Sequence, residues 1–149
     1  MFSKEEAKII RKEFWTAFGK MSKARKKRQW LLYNTKTKDV SLKFFADRNK
    51  CGVAIDIELK NNIKRHLFFD SFTSLQNVFD DKFTDGLIWE KDFLLDNEKL
   101  ISRIHYDLEN VNIYKKEDWP KMFKFIFENM KKLESLYIEY EEIIEGFAI

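Results

Sequence analysis

Glu58 and Lys60 stand two apart at the end of the run GVAIDIELK, residues 52 to 60. In an extended strand that spacing puts both side chains on one face. An acid and a lysine so placed can do phosphodiester chemistry: carboxylates hold Mg²⁺, the ion activates water and stabilises charge on the phosphate, and the lysine assists. A second carboxylate is needed, and Asp39 is the candidate. If the turn between the two strands centres between Arg48 and Asn49, Asp39 lies opposite Glu58; a slip of two residues puts Ser41 there instead. The competing reading is simpler. Val53, Ile55, Ile57 and Leu59 alternate with Ala54, Asp56, Glu58 and Lys60, so burial of one face accounts for the strand and leaves the charges on a solvated one.

A second set of residues could bind rather than cleave. Lys20, Lys23, Arg25, Lys26, Lys27 and Arg28 come without an acid, followed by Trp30, Tyr33, Lys36 and Lys38. Cations neutralise phosphates and release counterions, and neighbouring rings can stack on unpaired bases. The four residues Arg25, Lys26, Lys27 and Arg28 are the centre of this candidate nucleic-acid surface. Against it, a basic run is also what a solvated connector looks like, and Trp30, opening an apolar run, is expected in the core. A third set, Lys43, Asp56, Arg103 and His105, with Glu58 and Asp107, falls on the polar side of predicted strands. Cross-strand ion pairing explains it; an anion held by Arg103 beside a titrating His105 is the functional alternative. His66 and His105 have no metal-ligand spacing and Cys51 is the sole cysteine, so no transition-metal site, disulfide or cofactor is expected, and Mg²⁺ enters only with the nuclease reading.

These residues must be carried by one domain spanning residues 1–149, since a chain of 149 residues with 44% hydrophobic and 16% aromatic content can bury one proper core. Four Gly and one Pro leave little room for linkers. The first ten residues, MFSKEEAKII, are too charged for a signal peptide, and no apolar stretch reaches membrane-spanning length, so a cytoplasmic protein is expected. Residues 1 to 75 carry 18 Lys and Arg against 8 Asp and Glu, whereas residues 76 to 149 carry 10 against 17. The basic half suits an anionic partner, nucleic acid or an acidic protein, but within one domain the halves can also neutralise each other.

Ser3 and Glu6 form a capping box ahead of Ala7, Ile10, Phe14, Ala17 and Met21 at helical spacing, which predicts a first helix from about Lys4 to the region of Gly19 to Ser22. WLLYN, from Trp30, reads as a first strand. VSLKFFA at 40–46 and CGVAIDIEL at 51–59 read as a hairpin. Phe68, Phe72, Leu75, Phe79 and Phe83 predict a second helix ended by Gly86, and LIWEKDFLL with KLISRIHYDLE a second hairpin. Asp118 is placed to cap a last helix, with Pro120 in its first turn and an apolar seam at Ile126, Met130, Leu133 and Tyr137. The fold class is therefore α+β, a mostly antiparallel sheet of about five strands with three helices in the order α-β-β-β-α-β-β-α. The seam packs on the sheet or, alternatively, forms a homodimer.

EFWTAFGK on the first helix, GLIWEKDF, SRIHYDLE and EDWPKMFKFIFENMKKLE on the last strand and helix resemble the bacterial and archaeal domain of unknown function 4268 family, over about Phe2 to Ile144. The resemblance implies a compact domain often found beside nuclease-type domains in defence-related genes, with no established activity and no catalytic residue to transfer. The expectation is thus a non-enzymatic interaction domain that meets nucleic acid or an acidic protein through its basic half. The alternatives are a Mg²⁺-dependent nuclease of the PD-(D/E)xK kind using Asp39, Glu58 and Lys60, although Lys38 stands where the customary proline precedes the acid, and a dimerisation module built on the last helix.

Overall fold

The computed structural model of the chain describes residues 2–26 and 29–148; Lys27 and Arg28 of the basic run lie outside the described residues. Ser3 opens the first helix, α1 (Lys4–Arg25), through the expected reciprocal cap: the Glu6 N–H donates to Ser3 Oγ at 3.1 Å and the Ser3 N–H to Glu6 Oε1 at 3.4 Å. Ala7, Phe14 and Phe18 face the core from it. Gly19 does not end this helix. A helical glycine costs only about 1 kcal/mol relative to alanine, and one turn later the buried Ser22 still has a task, accepting the Trp30 indole N–H at 2.7 Å.

Four strands follow: β1 (Val40–Ala46), β2 (Lys50–Ile57), β3 (Ile88–Leu94) and β4 (Leu100–Glu109), in the sheet order β1-β2-β4-β3, every pair antiparallel. The first hairpin turns on Asp47, whose carboxylate accepts the N–H groups of Asn49 and Lys50 at 2.8 and 2.9 Å. Between the hairpins lie α2 (Asn62–Phe72), a 3-10 turn (Thr73–Leu75) and the single-turn helix α3 (Gln76–Asp80). Gly86, at φ +75°, then turns the chain into β3. The last helix is α4 (Trp119–Glu145).

The expected fifth strand, WLLYN, is not formed. Leu32 sits at φ 37°, in the left-handed region that breaks an extended run, and the Asn34 N–H closes a turn on Leu31 O at 2.7 Å. The segment touches β1 by one backbone bond, Leu42 N–H to Leu32 O at 3.0 Å. The order is thus α-β-β-α-β-β-α, counting α2 and α3 as one helical unit. Asp118 precedes α4 as expected but does not cap it; its carboxylate accepts the Asn112 N–H at 2.9 Å instead.

One face of the sheet is apolar. Val40 and Leu42 of β1, Val53, Ile55 and Ile57 of β2, and Ile104 of β4 join a single core with Ile126, Met130, Leu133 and Tyr137 of α4, which lies along β2. Fully burying each such side chain is worth about 1.5 to 3 kcal/mol. The seam that could have joined two copies of the chain is therefore spent on the chain's own sheet. Residues of opposite parity on the same strands, Lys43, Asp56, Arg103 and His105 among them, form the second face.

Gly52 of β2 sits beneath the Phe45 ring and beside the Tyr106 backbone of β4. A Cβ there would collide with the Tyr106 carbonyl oxygen and stand 2.6 Å from Phe45 Cζ. Because the obstacle is backbone, Gly52→Ala is expected to lower unfolding stability by about 2 to 3 kcal/mol, measured by urea denaturation; a change of under about 0.5 kcal/mol would contradict this packing.

Candidate functional site

The nuclease residues meet only in part. The hairpin takes the first of the two registers, with Val40 opposite Ile57 and Ser41 opposite Asp56, so Asp39 does face Glu58, whose N–H donates to Asp39 O at 2.7 Å. But β2 ends at Ile57 and Asp39 turns at φ 65°, so Asp39, Glu58 and Lys60 lie beyond the regular ladder. The Glu58 carboxylate already has cations at both oxygens, Lys43 Nζ at 3.4 Å and Lys99 Nζ at 3.3 Å. Burial works to raise its carboxyl, but Lys43 and Lys99 outweigh that and hold it below the usual carboxylate range. Among the described residues no three His, Cys, Asp or Glu side chains are grouped to hold a metal ion.

The polar sheet face comes together. Asp56 and Arg103 are cross-strand partners. The fully buried Asp56 carboxylate accepts two bonds from that guanidinium, Nε to Oδ1 at 2.7 Å and Nη2 to Oδ2 at 2.9 Å, with Lys43 Nζ 3.4 Å from Oδ2. The Arg103 guanidinium carbon lies 4.4 Å from the centre of the Phe93 ring and 5.6 Å from that of Phe45. His105, next along β4, has Asp107 Oδ1 2.6 Å from Nδ1 and Glu90 Oε2 2.7 Å from Nε2. A neutral ring, with one N–H, satisfies one of these carboxylates; the cationic ring satisfies both. Burial would raise the Asp107 carboxyl, but the His105 hydrogen bond and charge, joined by Lys50 at 3.2 Å, outweigh it and lower its pKa. Charges on this face are matched to one another, and two of the Arg103 donors are already spent on Asp56. Cross-strand and same-face ion pairs thus tie this constellation together.

The basic segment is different. Lys26 is pulled inward: its Nζ donates to the buried Glu134 of α4 at 2.8 Å and lies 4.5 Å above the Trp30 ring. The second Glu134 oxygen accepts the Leu31 N–H at 2.6 Å, and one helical heptad on, Glu141 accepts the Lys36 N–H at 3.0 Å. These carboxylates bend the connector across the end of α1 and open a groove of about 670 Å³ lined by Trp15, Phe18, Lys23, Trp30, Tyr33 and Phe44, among others. A hollow of about 160 Å³ adjoins it, sharing Trp15, Tyr33 and Phe44 and adding Lys43. The walls are rings packed on rings: Trp15 stacks on Phe44 at 6.1 Å, and Trp30 meets Phe44 edge-on at 5.7 Å. Trp30 is thus half-buried, packed against the edge of the core with one side on the groove. Arg25 is exposed at the helix end, its guanidinium 5.9 Å from the Phe127 ring.

The sequence reading did not single out Trp15, Phe44 or Glu134. The available signal was two acids, Glu134 and Glu141, seven apart beside the apolar stripe of α4, which puts them on its inner side. Arg65, fully buried on α2, also escaped it; the guanidinium donates to Ser102 Oγ, Asn62 Oδ1 and Asp92 Oδ1 and pins α2 to the second hairpin. Cys51 is buried, and burial, then the charges of Asp107 and Asp47, pushes its thiol up to about 12, so it offers no nucleophile at neutral pH.

Two outcomes follow for the sheet face. Asp56→Asn, which leaves Arg103 and Lys43 without their buried counter-charge, is expected to cost about 3 kcal/mol in urea denaturation; a loss below about 1 kcal/mol would contradict the pairing. Asp107, its folded pKa lowered from the ordinary 3.8, contributes stability that is complete above that value and is lost as pH falls through the folded pKa. Asp107→Asn should flatten the acid limb of the stability profile below about pH 4, and an unchanged limb would contradict it.

No helix among the described residues is long and apolar enough to cross a membrane. No curated protein and no solved structure matches the chain. The sequence model of one family does, "Domain of unknown function (DUF4268)", over residues 10–141. That span takes in α1 from Ile10 onward, all four strands and most of α4, including the groove lining and the acids Glu134 and Glu141, and the chain belongs to this family.

Proposed function

We propose that this domain is a binding module that contacts nucleic acid through the basic surface around the end of α1. One observation carries the reading: the cations there are unmatched, whereas those of the sheet face are paired. Residues 20 to 43 hold nine Lys and Arg and one acid. Among the described residues, Lys20, Lys23 and Arg25 are exposed and belong to no ion pair, while Lys26 answers Glu134 and Lys43 answers Asp56 and Glu58. A cluster of exposed cations with one acid among them draws phosphate by counterion release. Lys26, a structural cation here, is not one to test; Lys20, Lys23 and Arg25 are.

If about three phosphates are neutralised, the affinity for a single strand falls with salt at a logarithmic slope of about −2, so raising salt from about 50 to 200 mM weakens binding about 20-fold. Fluorescence anisotropy with a labelled oligonucleotide should show this, and the triple variant Lys20→Glu, Lys23→Glu, Arg25→Glu should abolish it. Absence of binding at low salt, or a triple variant that binds like the parent, would overturn the reading.

A further inference from the structure

We infer that the groove at the end of α1 receives an unpaired base of a single strand, with Tyr33 as its stacking platform, so that the domain prefers single-stranded to duplex nucleic acid. This rests on the nucleic-acid reading above and gives it a site.

Tyr33 is 71% exposed although it lines the groove. The other rings of the wall lean on one another, whereas among the described residues the Tyr33 ring pairs with no other ring and has the Lys43 ammonium 5.7 Å from its centre. An exposed ring beside a concave aromatic wall offers a π-face to a base, and stacking of this kind tolerates any sequence. The backbone reaches this position at a cost. The neighbouring Leu32 is held at φ 37°, unfavourable for a bulky side chain, and is fixed there by Glu134 on the Leu31 N–H and by Leu42 on the Leu32 carbonyl. The strain turns the chain where an extended strand would have continued along β1.

The remaining lining suits a nucleotide. Gln29 and Asn34 bring side-chain amides to the groove, groups that both donate to and accept from base edges. Lys23 stands on the rim with no carboxylate partner among the described residues, within the stretch of nine cations and one acid. A phosphate can be met there while the base sits among the rings. Bases in a duplex are stacked and paired and cannot present a face to Tyr33; only an unpaired base can enter.

The test compares one labelled oligothymidylate with a mixed-sequence duplex of equal length, by anisotropy at low salt, for the parent chain, Tyr33→Ala and Tyr33→Phe, with urea denaturation to confirm that each variant folds. The expected result is a preference of at least about tenfold for the single strand, a loss of about tenfold in Tyr33→Ala, and near-parental binding in Tyr33→Phe. Equal affinity for strand and duplex with no effect of Tyr33→Ala would overturn the base site while leaving the charge-based reading intact. No binding to either would overturn both.

Discussion

A buried carboxylate, Glu134, ties both Lys26 at the end of α1 and Leu31 beyond it to α4. One oxygen takes the Lys26 ammonium and the other the Leu31 N–H, so a stretch rich in like charges is brought down onto α4. Repulsion among the cations would otherwise favour an extended, solvated connector. The acidic half of the chain and the basic half do neutralise each other, but selectively: Glu134 and Glu141 anchor the backbone and one lysine, leaving the neighbouring cations on the surface. The groove, the walls of Trp15, Trp30 and Phe44, and the exposure of Tyr33 all follow from where that carboxylate sits.

The two faces of the sheet divide the chemistry. On the inner face, burial of aliphatic and aromatic side chains supplies the stability. The outer face is built of charges matched pair by pair, with Asp56 between Arg103 and Lys43 and His105 between Asp107 and Glu90. Phe45 and Phe93 shelter Arg103 and His105, edge-on to the imidazole at 6.2 and 5.9 Å. Such a network lends specificity to the strand register and leaves little electrostatic attraction for a ligand. At the end of α1 the exposed Lys20, Lys23 and Arg25 belong to no ion pair among the described residues.

Much of this architecture was legible from residue types and spacing, because the signals were local. The Ser3 and Glu6 cap, the two hairpins, the alternation of β2 and β4 and the seam of α4 each depend on contacts within a few residues or on a fixed period. The register of the first hairpin could be narrowed to two alternatives and no further, since both bury the same face. WLLYN was misread because an apolar run with β-compatible residues carries no mark of the left-handed turn at Leu32. That turn is imposed from more than a hundred residues away, by Glu134. Trp30, expected in the core, does pack against it and also lines the groove, a double role that its spacing does not mark. Spacing showed that Glu58 and Lys60 share a face but not that Lys43 and Lys99, from two other parts of the chain, stand beside the Glu58 carboxylate.

The four tryptophans separate the groove from the rest of the molecule. Trp15 and Trp30 line it, whereas the Trp89 indole is bound to Asp80 and that of Trp119 to Ile113 O. Titration of the ¹⁵N-labelled chain with a short single-stranded oligonucleotide therefore reads the central claim directly from four indole N–H signals. The account predicts that the Trp15 and Trp30 signals move in step with binding while those of Trp89 and Trp119 stay in place. Movement of Trp89 or Trp119 with Trp15 and Trp30 unmoved, or four unmoved signals, would contradict it.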